Sequence, residues 1–403
     1  MSYHVLIIGG GIGGLSLAQG LKKQGISCAV YERDRTPTSR LQGYRISINP
    51  DGSRALHYCL TSHLFNMFVA TSGKTGKGSS VYTHKMQELM SIPAGPEDIE
   101  SDPVNSYKSV SRKTLRRVLL SDLDDIVHFD KTFERYEELS DGRVTAFFAD
   151  GSSATGDILI GADGGKSSVR QQFLPHARQI DTGILGIAGK VPLTEHTRIF
   201  EPKNSTMVVS PHGTGMFLAK FDPANTLHVT IGKNHSTHSQ EMPFDNDQPY
   251  ITWYFIAKIQ KYPYDWEFMR TLDDGQLQQV VLEMIQAWDE RFTKLIQASD
   301  PQTIVLLPIR TSVPIDPWET KNITLLGDAI HCMTPMRGIG ANTALRDAEL
   351  LCKNLVLGRD GLTTLFQAIH AYESEMIQYG FDAVRTSMQV VEQLTTENQR
   401  WVH

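Results

Sequence analysis

The chain has 403 residues, of which 40% are hydrophobic, 21% charged and 8% aromatic; this mix excludes disordered, collagen-like and coiled-coil chains and favours two domains. Lys and Arg number 39 against 45 Asp and Glu, a net charge of -6, so the cationic surplus that a nucleic-acid binder needs is missing. No apolar stretch approaches the roughly 20 residues of a bilayer span, and the amino end lacks a basic region before its short apolar run, which argues against a signal peptide and for a cytoplasmic protein.

In chain order, Val5-Leu6-Ile7-Ile8 is continuously apolar, as a parallel strand buried on both faces requires. Gly9, Gly11 and Gly14 follow in the G-x-G-x-x-G spacing. The first glycine allows a tight turn, the second lets backbone approach a pyrophosphate, and the third lets helix pack on strand. A helix is expected over 15–24, ended by Gly25, then a strand over 28–31 that ends at Glu32. That acid stands near the roughly 20-residue spacing of a ribose-binding carboxylate. Strand, glycine turn, helix, strand and acid together predict dinucleotide binding, with the phosphates on the helix's positive end.

Residues 71–103, rich in Gly, Ser and Lys, read as irregular. Ile158-Leu159-Ile160 runs into Gly161-Ala162-Asp163-Gly164, and Ile323-Thr324-Leu325-Leu326 runs into Gly327-Asp328; both read as further strands of the first sheet. Between them, 216–221 and 227–231 read as strands, and 182–260 shows no helical period, so an antiparallel sheet is expected as an insertion. Leu277, Val281, Met284, Trp288, Phe292 and Ile296 predict one amphipathic helix. Asn342 is a candidate N-cap for a helix striped by Ala344, Ala348, Leu351 and Leu355 and closed by Gly358. A last stripe, Leu365, Ile369, Tyr372, Met376, Tyr379 and Ala383, predicts a long carboxy-terminal helix with Gly380 inside it.

A bare nicotinamide dehydrogenase has no need of a second and third acid-bearing turn from one sheet; a ligand with a long polyol chain does. On the GGGIGG turn with Glu32, the stretch DILIGADGGKSSVR (157–170) and the stretch GDAIHCMTPMRGIGANTALRDAELL (327–351), the chain resembles the group A FAD-dependent monooxygenases related to p-hydroxybenzoate hydroxylase and kynurenine monooxygenase. SRKTLRRVLL (111–120) is a weaker match, as is WDERF (288–292), which is similar to the tetracycline-inactivating members. The resemblance implies an α/β fold: a Rossmann-like, glutathione-reductase-type FAD domain over 1–70, 105–180 and 305–362, an inserted mainly antiparallel substrate domain over 71–104 and 181–304, and a carboxy-terminal helix over 363–403.

It also implies roles. Glu32, with Arg33 beside it, belongs to the adenosine ribose; Arg112 reaches the phosphate or ribityl side; Arg40, Tyr44 and Arg45 lie in a loop near the flavin ring. Asp163 belongs to the middle fingerprint, which also affects nicotinamide use. Asp328 accepts from ribityl hydroxyls, although a helix N-cap would use the same turn. Gly340, Ala341 and Asn342 lie under the pyrimidine edge, where a helix's positive end stabilises anionic reduced flavin. Ile339 stands where the family usually has glutamine, and Thr334-Pro335 where it commonly has two prolines. Met216, Phe217 and Pro335 are substrate candidates, and Trp253 reads as core.

In such enzymes NADPH or NADH, a transient visitor, reduces tightly but non-covalently bound FAD. Oxygen then adds at flavin C4a, and the hydroperoxide passes one oxygen to an aromatic, polyketide-like or otherwise conjugated small molecule, in secondary metabolism or xenobiotic modification. A monomer or homodimer is expected. A Baeyer–Villiger or halogenating variant shares the scaffold, although no W-x-W-x-I-P stretch occurs, and a non-enzymatic relative of the prenyl-GTPase dissociation inhibitors shares the ancestry. Cys28, Cys59, Cys332 and Cys352 lack CxxC spacing and read as reduced buried thiols. His212, His228, His235, His238 and His331 fit no metal or nucleophile pattern.

Overall fold

The computed structural model describes residues 3–39, 45–73, 78–93, 102–202, 205–222 and 248–397. The chain opens with β1 (His4–Ile8), α1 (Ile12–Lys23) and β2 (Ser27–Tyr31). Next come β3 (Arg45–Ile48), α2 (Pro50–Cys59), α3 (Ser62–Thr71), the hairpin β4 (Gly78–Thr83) and β5 (Glu88–Pro93), then β6 (Lys108–Ser111) and α4 (Arg112–Leu120). A run of short strands follows: β7 (Val127–His128), β8 (Phe133–Glu138), β9 (Val144–Phe148), β10 (Ser153–Gly156) and β11 (Ile158–Gly161), closed by α5 (Ser168–Phe173). Long strands β12 (Gln179–Pro192), β13 (Ser205–Val209), β14 (Thr214–Phe221) and β15 (Tyr250–Lys258) precede α6 (Trp266–Met269), α7 (Asp274–Met284), α8 (Glu290–Gln297) and β16 (Asp300–Ser312). The chain then returns through β17 (Ile323–Leu325) and α9 (Asp328–His331) to α10 (Gly340–Arg359) and α11 (Leu365–Thr395).

β17, β11, β1, β2 and β7 lie side by side in that order, with every neighbouring pair parallel. Val5, Leu6, Ile7, Leu159, Ile160 and Ile323 are fully buried, which is why these strands read as unbroken apolar runs. Because the strands are parallel and adjacent, the turns after β1, β11 and β17 emerge at one edge although β11 and β17 are far apart in sequence. The second sheet has the order β16-β12-β15-β14-β13-β4-β5 and is antiparallel except where β13 pairs with β4.

Three expectations fail for identifiable reasons. Residues 71–103 are not irregular throughout, since β4 and β5 lie in them; β5 is an edge strand almost wholly exposed, so it carries no apolar alternation to read. The single helix expected from Leu277 to Ile296 is two: α7 stops at Ile285, and the Asp289 side chain accepts from Arg291 N–H to start α8. Both helices bury their stripes on the same sheet face, so the period survives the break. Gly358 lies inside α10, packed near Ala368 and the Tyr3 hydroxyl, and Gly361 with φ +73° follows the helix end. The strand expected over 227–231 lies outside the described residues.

Candidate cofactor and substrate site

Gly9 adopts φ +111°, and a Cβ there would stand 2.4 Å from the Ala162 carbonyl oxygen; one at Gly14 would stand 2.2 Å from the Gly9 carbonyl oxygen. These two glycines let the first two turns touch and α1 seat on β1. Gly11 is different: its φ is -79° and a Cβ would meet nothing within 4 Å. Its lack of a side chain leaves open space in front of α1.

The helix starts single out one region. α2, α3, α5, α6, α7, α8 and α11 each have a side chain that accepts from a first-turn N–H. α1, α4, α9 and α10 have none, and α1, α4 and α10 also lack an acid in the first turn. Uncapped N–H groups and an unopposed positive dipole end cost stability unless something else accepts from them. These four starts follow the first turn, Ser111, the third turn and Gly338-Ile339, so they belong to the segments that the sequence singled out.

Asp328 lies at the third turn. Its carboxylate accepts no hydrogen bond from any described residue, and the N-cap of α9 is Gly327, with φ +63°. Water reaches the side chain, yet surrounding protein raises its pKa by desolvation, against the opposing charges of His331 and Arg112. A Cβ at Gly340 would stand 4.0 Å from Asp328 Oδ1, so the third turn and the start of α10 face each other. The second turn adds Asp163. Its Oδ2 accepts from Ser168 and Val169 N–H groups at 2.7 and 3.3 Å, while Oδ1 is buried without a partner. Desolvation raises this carboxyl too.

Glu32 is buried at the end of β2; its Oε2 accepts from Gly10 N–H at 2.6 Å and its Oε1 from Asp34 N–H at 2.9 Å. Arg33 beside it is exposed. Arg45 starts β3, donates from Nε to Ser109 Oγ at 2.6 Å and feels Tyr250 of the second sheet; desolvation lowers its pKa. Arg40 and Tyr44 lie outside the described residues. Sequence reasoning missed Arg116, which donates to the carbonyls of Gly10 at 3.2 Å and Pro37 at 2.8 Å. It sits one turn past Arg112 on the same helix, a spacing that was available to find it.

Asn342 is not the N-cap of α10; that position is Ile339. Its side chain is committed elsewhere: Oδ1 accepts from Asn49 N–H at 2.9 Å and Nδ2 donates to Ser47 O at 2.9 Å. Asn342 therefore ties α10 to the junction of β3 and α2, leaving the backbone N–H groups of Gly340 and Ala341 at the helix mouth.

On the second sheet the two-residue alternation separates the candidates. Met216 is fully buried with Trp253 and Phe255 on the face that packs α7 and α8, so it lies in core and not on a ligand surface. Trp253 donates to Ser299 Oγ at 2.7 Å there. Phe217 points to the opposite face with Met207 and Tyr254, the face that Met336 packs against. Pro335, next to Met336, is exposed. Trp288 and Asp289 of the WDERF stretch serve the α7–α8 junction. Among the described residues no three His, Cys, Asp or Glu side chains gather as a metal set, and no helix is long and apolar enough to cross a membrane. His228, His235 and His238 lie outside the described residues.

A parallel sheet with a glycine turn, a ribose-spaced acid and two further acid-bearing turns at one edge defines a dinucleotide-binding flavoprotein. The chain belongs to the FAD binding domain family, whose model matches residues 74–387, and residues 7–70 match the NAD(P)-binding Rossmann-like domain. FAD is the cofactor of this family, and the relatives are FAD-dependent monooxygenases. The chain is 30% identical over 391 residues to a dual O-methyltransferase/FAD-dependent monooxygenase of Cercospora beticola, covering 93% of this chain and 44% of that protein. It thus spans under half the length of such relatives. It is 27% identical over 402 residues to an FAD-dependent monooxygenase of Penicillium herquei, covering 96% of this chain and 90% of that one. A crystal structure assigned as an FAD containing monooxygenase from Photorhabdus luminescens superposes with TM-score 0.84 at 32% identity, covering 98% and 99% of the two chains. Klebsiella pneumoniae HpxO complexed with FAD and uric acid superposes with TM-score 0.77 at 25% identity, covering 99% and 90%.

Proposed function

We propose that this chain hydroxylates an aromatic or otherwise conjugated small molecule, using FAD, a transient nicotinamide reductant and oxygen. The observation that carries the reading is the pairing of unsatisfied donors and acceptors at one sheet edge. The uncapped start of α1 suits the pyrophosphate, Glu32 the adenosine ribose, Arg112 the phosphate or ribityl side, and the free Asp328 carboxylate the ribityl hydroxyls. The open N–H groups of Gly340 and Ala341 suit the pyrimidine edge, where the helix dipole favours the negative charge of the reduced ring. Bound FAD supplies the redox and oxygen chemistry. The chain's residues orient it, exclude water and hold the substrate against it.

The half-buried face with Phe217, Met207 and Tyr254, against which Met336 packs, suits a flat apolar ligand. A phenolic substrate class is also favoured by the relative that joins monooxygenase and O-methyltransferase in one chain, since O-methylation consumes a hydroxyl. Arg45, with Asp163 on the nicotinamide side, completes the cofactor set.

Purified protein is expected to show the oxidised-flavin absorption bands, and Asp328→Ala to weaken FAD retention about 10- to 100-fold, the loss of a charge-assisted hydrogen bond. NADPH or NADH oxidation should rise when a phenol, anthraquinone or urate-like compound is added. Reconstituted protein without bound flavin would end this reading, and binding of FAD without stimulation by any such compound would end the substrate assignment.

A further inference from the structure

One buried carboxylate outside the cofactor set gathers three elements. Asp347, wholly buried in α10, accepts at Oδ2 from the Gly327 N–H and from His331 Nε2, each at 2.7 Å, and at Oδ1 from the Tyr379 hydroxyl of α11 at 2.6 Å. Gly327 is the positive-φ residue that launches Asp328. His331 is wholly buried beside Gly380 of α11; a Cβ there would stand 2.6 Å from His331 Cδ2, so α11 passes at a separation that only glycine permits. The same helix holds the turn's flanks: the Tyr372 hydroxyl donates to Leu325 O at 2.8 Å, and Thr334 Oγ1 donates to Ser387 O at 2.8 Å. The Arg346 guanidinium lies 3.8 Å over the Tyr379 ring, which keeps that ring in place.

A buried aspartate facing only its own helix would be a liability. Here its lone pairs are spent on the one backbone N–H that fixes how Asp328 leaves β17, and on the histidine three residues past Asp328 in α9. We propose that Asp347 is a positioning residue for the cofactor: it sets the Gly327–Asp328 turn for the flavin's polyol chain, with His331 and the Tyr379 hydroxyl holding its carboxylate in place. This rests on the assignment of Asp328 to the ribityl hydroxyls. Desolvation opposes a charge on His331, but the Asp347 carboxylate and nearby Asp328 outweigh it and raise its pKa above the ordinary histidine value.

The test is FAD titration of apoprotein, followed by flavin fluorescence, for wild type, Tyr379→Phe, Asp347→Asn and Asp328→Ala, with the melting temperature of each apoprotein. Tyr379→Phe removes one oxygen and keeps the ring stack, so it folds. It is expected to weaken FAD binding at least fivefold, and Asp347→Asn at least twentyfold, at temperatures well below melting. The Gly327 amide of FAD-free protein should exchange at least tenfold faster in both variants, while amides of β1 and β11 keep their wild-type rates. A merely structural carboxylate would lower the melting temperature and leave FAD affinity and the Gly327 amide unchanged, which would overturn the proposal. If Asp328→Ala itself leaves FAD affinity unchanged, the ribityl assignment fails instead.

Discussion

Lys108 shows how a single side chain carries a cost that sequence does not display. It is 5% exposed and, among the described residues, donates only to Ser53 Oγ, Ser106 O and Ser106 Oγ at 3.0 to 3.1 Å. Desolvation pushes its pKa down to about 8, with Asp102 pulling the other way. A base whose pKa falls on folding binds fewer protons folded than unfolded between about 8 and its ordinary 10.5, so its contribution to stability improves as pH rises through that window. Lys108→Met is therefore expected to melt several degrees higher than wild type at pH 7, and the gap should close by about pH 10.5; a constant gap would contradict the assignment. At this same scale, Glu32 was legible because it ends a buried strand at ribose spacing from the glycine turn, and Asp163 and Asp328 because each follows a buried strand and a glycine. Asn342 and Asp347 were not, because their partners, Asn49, Gly327 and Tyr379, come from distant segments and no local pattern encodes such contacts.

Elements divide by what their ends do. The glycine turn contains residues of two kinds, and substitution separates them. Gly14→Ala puts a Cβ against the Gly9 carbonyl and is expected to destabilise apoprotein and holoprotein alike. Gly11→Ser meets no atom within 4 Å in an extended conformation any residue adopts, and its hydroxyl supplies the N-cap that α1 lacks. Apoprotein melting should stay level or rise slightly, while FAD affinity falls at least tenfold because the side chain fills the space of the pyrophosphate. Equal loss of stability in both variants would show that Gly11 serves the fold and not the ligand. The legible elements were those with two buried faces or an unbroken stripe: β1, β11, β17, α10 and α11. The exposed β5 and the Ile285–Asp289 break gave no signal, since neither changes the burial pattern from which elements are read.

For the whole molecule, α11 is the member that spans both sheets. Its middle fastens the turn after β17, and its end buries Val391 and Leu394 with Ile184, Val209, Ile256 and Ile309 of the second sheet. The parallel sheet provides the edge, and Met336, which follows the third turn, packs against the Met207–Tyr254 face of the second sheet. Sequence order made the sheet itself predictable, because three apolar strands each ending in a glycine turn have few ways to share one sheet. The relative placement of the two sheets depends on tertiary contacts such as Met336 against that face, which no single stretch announces.

Separate turns that jointly grip one elongated cofactor must lose solvent access together when it binds. Amide hydrogen exchange of the apoprotein with and without FAD reads this out, because the donors at issue are backbone N–H groups. FAD is expected to slow exchange together at residues 11–14, 112–115, 328–331 and 340–343. Protection confined to 11–14, with the other three segments unchanged at saturating FAD, would contradict the claim.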